Sequence, residues 1–287
     1  MRLAFRILNV FALEGDKLSG NPLCVFEDGS GLSDAQMQGL AQQLNLSETT
    51  FLLPPTEATA TRRVRIFTPS FEMPFAGHPT LGSAAVAHAL VPEISSSSVI
   101  LEMKAGLVPV TCHGTSWTLR TARAPSHRPV TLARPVLAAM LGVTEAALAG
   151  EPLWVNTGAE QLVIPLADAE AVRSARPDPG LLATHGYSEI RGGAMAYVWA
   201  PVGPQEVCAR FFFIARGAVV EDPATGSACA NLGGWFVAHK AALPLRRVVW
   251  QGQQIGRPSR LELTLDSDGG IFVSGQVLEL GHGVFEL

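Results

Sequence analysis

Twice in 287 residues the chain runs from a strand pattern, through a break bearing proline and glycine, into a helix pattern nearly free of bulky side chains. The first copy reads RIFTPSFEMPFAGHPTLGSAAVAHAL from Arg65 to Leu90, the second ARFFFIARGAVVEDPATGSACANLGGWFVAHK from Ala209 to Lys240. A chain that repeats its order of elements at half its length is read as two copies of one unit, each large enough to bury its own core. Two earlier segments agree, because SGNPLCVF around Asn21 and VNTGAEQLVIP around Asn156 each place an asparagine turn before a strand and a helix. Asn21 is therefore matched with Asn156, and Gly82-Ser83-Ala84 with Gly226-Ser227-Ala228. The order of elements carries this argument more than the small-residue identities do.

Mixed helix and strand in each half, with hairpin-like early strands, predicts an α+β protein of two pseudo-symmetric α/β lobes instead of a doubly wound parallel sheet. Apolar periodicity fails in RTARAPSHRP, between Trp117 and Val130, which sets lobes of 1–118 and 119–287 with the last strand packing back on the first. The cleft between such lobes is the natural ligand site. Locally, Ser33 or Asp34 caps a helix whose Met37, Leu40 and Leu44 keep helical spacing, and Glu48 opens the next strand. Arg63 and Arg65 alternate with Val64 and Ile66, and Pro92 stops the helix that follows His78.

Composition removes several function classes. A net charge of -4 and no cluster of Lys and Arg among aromatics leave no field for nucleic acid. No apolar run reaches the roughly 20 residues that span a bilayer, and the opening MRLAFRILNVFALEGDK, interrupted by Arg6, Glu14 and Asp16, reads as a first strand and not a leader. The expected location is the cytoplasm. Cys24, Cys112, Cys208 and Cys229 show no metal spacing and are expected as buried free thiols. No nucleotide, flavin or metal motif is present, so no cofactor and no metal are expected.

Polar groups interrupt the hydrophobic grammar at three places: Glu48 in LNLSETTF, His78 in FAGHPT, and EDPATGSA from Glu221 to Ala228. Each has an ordinary reading. Glu48 is a solvated strand-start carboxylate, His78 caps its helix or bonds a backbone carbonyl, and Asp222 with Thr225 forms a turn. Against this, Gly77 and Gly226 each stand where a small-residue helix begins, so backbone amides there can face an anion at the positive end of the helix dipole. A small-molecule substrate bearing a carboxylate fits such a pair of helix starts.

SGNPLCVF, LNLSETTF, RIFTPSFEMPFAGHPTLGSA and EDPATGSACANLGGW together, in this order, resemble the PhzF-like family. That family is named for the isomerase of phenazine biosynthesis and has the diaminopimelate epimerase fold. The resemblance implies that Glu48 is the acid/base moving a proton on a small cyclic amino acid, with trans-2,3-dihydro-3-hydroxyanthranilate the best named candidate. It implies that His78, Asp222, Ser227 and the backbone around Gly77 and Gly226 bind the substrate, that no cofactor is needed, and that the protein is a homodimer. A proton shuttle near neutral pH requires a desolvated carboxyl, which Phe51 or Phe75 is expected to supply. The rival readings are a two-base racemase or epimerase on the same fold and a binding protein without turnover. Ala76 before Gly77 and Asp222-Pro223 in the second motif leave the first rival without its facing thiols, and the intact Glu48 motif disfavours the second.

Overall fold

The computed structural model describes residues 1–91 and 97–287. It divides into two compact units, Met1–Arg120 with Ser274–Leu287, and Thr121–Val273.

The first unit begins with β1 (Arg2–Ala12), β2 (Asn21–Phe26), α1 (Asp34–Leu44), β3 (Glu48–Leu53), β4 (Arg62–Phe67) and β5 (Glu72–Met73). It continues through α2 (Gly77–Leu90), β6 (Ser98–Met103), β7 (Gly106–His113) and β8 (Ser116–Arg120). α2 ends at Leu90, and the expected stop at Pro92 lies outside the described residues. β1 pairs antiparallel with β2, β2 parallel with β3, β3 antiparallel with β4, β4 antiparallel with β5 and parallel with β6, and β6 antiparallel with β7.

The second unit carries β9 (Ser126–Pro129), α3 (Arg134–Leu141), β10 (Leu153–Asn156), β11 (Glu160–Pro165), α4 (Ala169–Ser174), α5 (Pro179–His185) and β12 (Tyr187–Ser188). Then come β13 (Gly193–Pro201), β14 (Glu206–Ala215), β15 (Ala218–Asp222), α6 (Gly226–Ala238), β16 (Leu245–Gln251), β17 (Ser259–Leu265) and β18 (Ile271–Glu286). β10, β11, β13, β14, β15, β16 and β17 repeat the pairing order of β1, β2, β3, β4, β5, β6 and β7 step for step. From Ser274 onward β18 belongs to the first unit, where it pairs antiparallel with β1. Phe11, buried at a bulge of β1 with φ 62°, needs the missing side chain of Gly275, since a Cβ there would stand 2.3 Å from its ring.

The repeat is real, but its register differs from the one expected. β3 and β13 align through their partners: Phe51 lies opposite Arg65 and Val198 opposite Arg210, while Phe67 lies opposite Glu72 and Phe212 opposite Glu221. Gly77 and Gly226 are then the equivalent helix starts, so Gly226 does not correspond to Gly82. Asn21 opens the second strand of its hairpin whereas Asn156 closes the first, so those two are not equivalent either. Small residues recur by composition, and only the ladder fixes which of them match.

Side chains alternate across each strand, and this decides what the two helices of the first unit see. α1 is set by a Ser33–Gln36 capping box and buries Met37, Leu40 and Ala41 against Cys24, Phe26, Phe51 and Phe67. Phe51 stacks on Phe26 at 4.8 Å and meets Phe67 edge-on at 5.6 Å. α2, buried almost all round, takes the opposite face, where Ser83 donates to Thr50 at 2.9 Å. Its Gly82 sits so close to β2 that a Cβ would lie 2.4 Å from Leu23 and 3.2 Å from Val10, both fully buried. Gly82→Ala should therefore lose about 1–3 kcal/mol by overpacking. A denaturant midpoint equal to that of the unaltered chain would show that α2 has slack here.

Among the described residues no helix is long and apolar enough to cross a membrane. Cys24 and Cys229 are buried, but Cys112 and Cys208 are only partly so, which corrects the expectation for those two.

Candidate active site

Glu48 is the first residue of β3 and shares the parity of Thr50, so it points to the α2 side of the sheet. There its Oε2 lies 3.5 Å from Nε2 of His78, the second residue of α2, with side chains 15% and 6% exposed. Phe51 faces α1 on the other side, so it does not desolvate Glu48; Phe75 is only partly buried. On the α2 side His78 is the neighbour the structure gives it, and Gly77, Pro79 and Thr80 beside that histidine are all buried.

Burial pushes the His78 imidazole down to about 3, against a hydrogen bond to the Pro22 backbone that favours its protonated form. Proline offers only a carbonyl, so His78 is the donor in that bond. Nε2 is buried without a hydrogen-bond partner, which makes Nδ1 the nitrogen that donates. The ring is thus neutral, with its Nε2 lone pair toward Glu48. That lone pair can accept a hydrogen bond from Glu48 only while the carboxyl carries a proton. The ordinary reading of His78, a bond to a backbone carbonyl, accounts for one nitrogen, and the other lies beside Glu48.

A pH effect on stability follows. Between about 6.5 and about 3 the unfolded chain binds a proton at His78 that the folded chain excludes, so stability is full above about 6.5 and falls as the pH drops toward 3. His78→Gln should flatten this part of the curve in denaturant titrations. An unchanged slope would mean that His78 is protonated in the folded protein.

In the second unit Asp222 ends β15, Thr225 precedes α6, and Gly226 and Ser227 are its first two residues. Two buried amides that the sequence reading did not single out hold these groups. Gln251 donates from Nε2 to the Asp222 carbonyl at 2.9 Å and to Thr225 Oγ1 at 3.0 Å, and Thr225 donates to Asp222 Oδ2 at 2.6 Å. Gln161 donates to Ser227 Oγ at 3.0 Å. For Gln161 the signal was available, because it interrupts an apolar, buried strand. α1, α4 and α5 all have side-chain caps, whereas α2 and α6, like α3, have neither a side-chain cap nor an acidic residue in the first turn. Their leading amides are the donors that an anionic ligand would find.

The duplicated register also shows what the second unit lacks. Thr49 and Ala196 are equivalent, both lying one strand from the paired Phe67 and Phe212, so Glu48 corresponds to Met195. Only one copy carries a proton-transfer group at this position.

The model of the phenazine biosynthesis-like (PhzC-PhzF) family matches residues 8–281. The chain belongs to that family. It is 39% identical to an uncharacterised isomerase of Pasteurella multocida over 98% of this chain and 93% of that one. It is 32% identical to the trans-2,3-dihydro-3-hydroxyanthranilate isomerase of Pseudomonas aeruginosa over 97% and 98%. A PhzF-family crystal structure from Bacillus anthracis superposes with a TM-score of 0.85 over the whole of both chains, at 22% identity. The chain is an isomerase of the PhzF family with the diaminopimelate epimerase-like fold. The two buried thiols are poorly placed for acid/base work, as burial alone pushes Cys24 up to about 12 and Cys229 higher still.

Proposed function

We propose that this PhzF-family protein is a cofactor-independent isomerase in which Glu48 moves a proton between two carbons of a small cyclic amino acid. The observation that carries the reading is the Glu48–His78 pair, a carboxyl group 3.5 Å from a neutral imidazole whose other nitrogen is tied to the backbone. As a carboxylate, Glu48 takes a proton from one ring carbon; as a carboxylic acid, it shares that proton with the His78 lone pair and then returns it to another carbon. The substrate class is that of trans-2,3-dihydro-3-hydroxyanthranilate, on which the Pseudomonas relative acts by name. Asp222, Ser227 and the amides at Gly77 and Gly226 are assigned to substrate binding, with a carboxylate as the group bound, and the active protein is taken as a homodimer.

A single acid/base in the duplication, with Met195 in the second copy, favours this one-base shift over a two-base racemase. The test is turnover of trans-2,3-dihydro-3-hydroxyanthranilate in heavy water, with the product read by mass spectrometry and NMR. Isomerised product is expected, with deuterium on the newly protonated carbon to the extent that the Glu48 carboxyl exchanges with solvent before it returns the proton. Unaltered substrate after prolonged incubation would remove this substrate class.

A further inference from the structure

The hydroxyl of Ser227 stands at the end of a one-way chain of hydrogen bonds. The Thr157 backbone N–H, which can only donate, gives to Asn231 Oδ1 at 2.9 Å, and the Thr157 hydroxyl gives to the same oxygen at 2.7 Å. The Ala159 carbonyl, which can only accept, takes Asn231 Nδ2 at 2.8 Å. These backbone groups fix the orientation of the Asn231 amide from both sides. Its second N–H then meets Gln161 at 2.8 Å, where only Oε1 can accept, and this leaves Gln161 Nε2 to donate to Ser227 at 3.0 Å. Gln161 and Asn231 are fully buried, so neither amide has water to exchange with. Ser227 Oγ is thereby an acceptor toward the protein, and among the described residues nothing takes its proton.

The first unit shows that the fold does not require this chain. Aligning the helices by Gly77 and Gly226 places Gly82 where α6 has Asn231. Leu23 lies level with Glu48 in the parallel pair, as Gln161 lies level with Met195 by extension of the Val163–Tyr197 register. Leu23 against Gly82 is thus a close apolar contact at the same two positions where Gln161 against Asn231 is a polar relay.

We infer that Gln161, held by Asn231, is a positioning residue that commits the Ser227 proton outward and so makes this site selective for a hydrogen-bond acceptor such as a carboxylate over a group presenting donors. This rests on Ser227 contacting the substrate, as proposed above. It acts by pre-orienting a donor, so its effect belongs to recognition and not to the proton transfer at Glu48.

As a carboxylate, Gln161→Glu reverses the last link while keeping every bond, since one oxygen still accepts from Asn231 and the other now accepts the Ser227 proton. Binding of 3-hydroxyanthranilate and of its carboxamide is measured by calorimetry on the full chain. The unaltered protein should prefer the acid by about tenfold or more, and Gln161→Glu should erase that preference. Gln161→Met, which adds no charge, should lower the ratio about threefold in the unaltered chain and leave it unchanged beside Ser227→Ala, where no hydroxyl remains to orient. Equal weakening of acid and carboxamide by the Gln161 variants would show a packing role and overturn the inference. So would no preference, or no binding of either probe, in the unaltered protein, or an equal change of ratio by Gln161→Met with Ser227 absent. Collapse of the ratio in Gln161→Glu alongside full proton transfer in Glu48→Gln would uphold the relay and overturn the role given to Glu48.

Discussion

Glu48→Gln is expected to fold normally and to lose proton transfer by a factor on the order of 10²–10⁴, the usual contribution of a positioned acid/base. The amide keeps the shape of the carboxyl group at the start of β3. It also offers an N–H to the His78 lone pair, in effect copying the protonated state of Glu48 in permanent form. Substrate affinity should therefore change little while kcat falls, and the denaturant midpoint should stay in place or rise. The rate at which isomerised product forms is the direct readout. Retention of turnover within about tenfold of the unaltered enzyme, roughly 1.4 kcal/mol of barrier, would exclude Glu48 from the reaction.

The largest stability effect is expected at Arg210. Its side chain is 5% exposed and makes a bidentate pair with Glu221 at 2.6 and 3.1 Å. The remaining nitrogen, Nη1, donates to the carbonyls of Val172, Arg173 and Ala175, which lie at the end of α4. Arg210→Met leaves the buried Glu221 carboxylate without its partner and removes the Nη1 donor from the end of α4, where Arg176 still donates to the Arg173 and Ala175 carbonyls, for a loss of about 3–5 kcal/mol. Glu221 adjoins Asp222, and if Asp222 binds substrate as proposed, the loss should also appear as weaker substrate binding. The equivalent pair in the first unit, Arg65 with Glu72, is more exposed, and Lys104 remains on Glu72 at 2.6 Å when the arginine is removed. Arg65→Met should cost only roughly 1 kcal/mol. Urea titrations of the two variants, with unchanged slopes, test the contrast; equal losses would show that burial does not govern the Arg210 pair. Adding Glu221→Leu to Arg210→Met should recover part of the stability, because an apolar replacement of both partners removes the stranded charge.

The equivalence of these two ion pairs bears on what a sequence can reveal. The duplication of an α/β unit was legible, because strand period, helix caps and a glycine-bearing break recur in the same order, and each is a local property of the chain. A helix cap at Ser33 or Asp34, the first strand and the polar groups of Glu48, His78, Asp222 and Ser227 were likewise legible, since a polar residue in an apolar segment is conspicuous without any coordinates. The register of the repeat was not. Asn21 with Asn156, and Gly82 with Gly226, were the matches that identity favoured, and the sheet ladders set both aside.

Register is a long-range property, because hydrogen bonds between strands far apart in sequence decide it, and a slip of one residue turns every side chain to the other face. That parity sends Phe51 to α1 and Glu48 to α2, and so supplies the carboxyl group with a histidine partner instead of an aromatic one. The neutrality of His78 comes from its burial, and the Pro22 carbonyl, 56 residues upstream in the chain, decides which nitrogen keeps the proton. The direction of the Gln161–Ser227 bond comes from backbone groups at Thr157 and Ala159 that hold Asn231. The sequence by itself determined which functional groups the protein owns and the order of elements that carries them. Only the tertiary structure decided which face each group takes, which nitrogen keeps its lone pair and which hydroxyl keeps its proton, because each of these depends on neighbours brought close by folding and not by the chain.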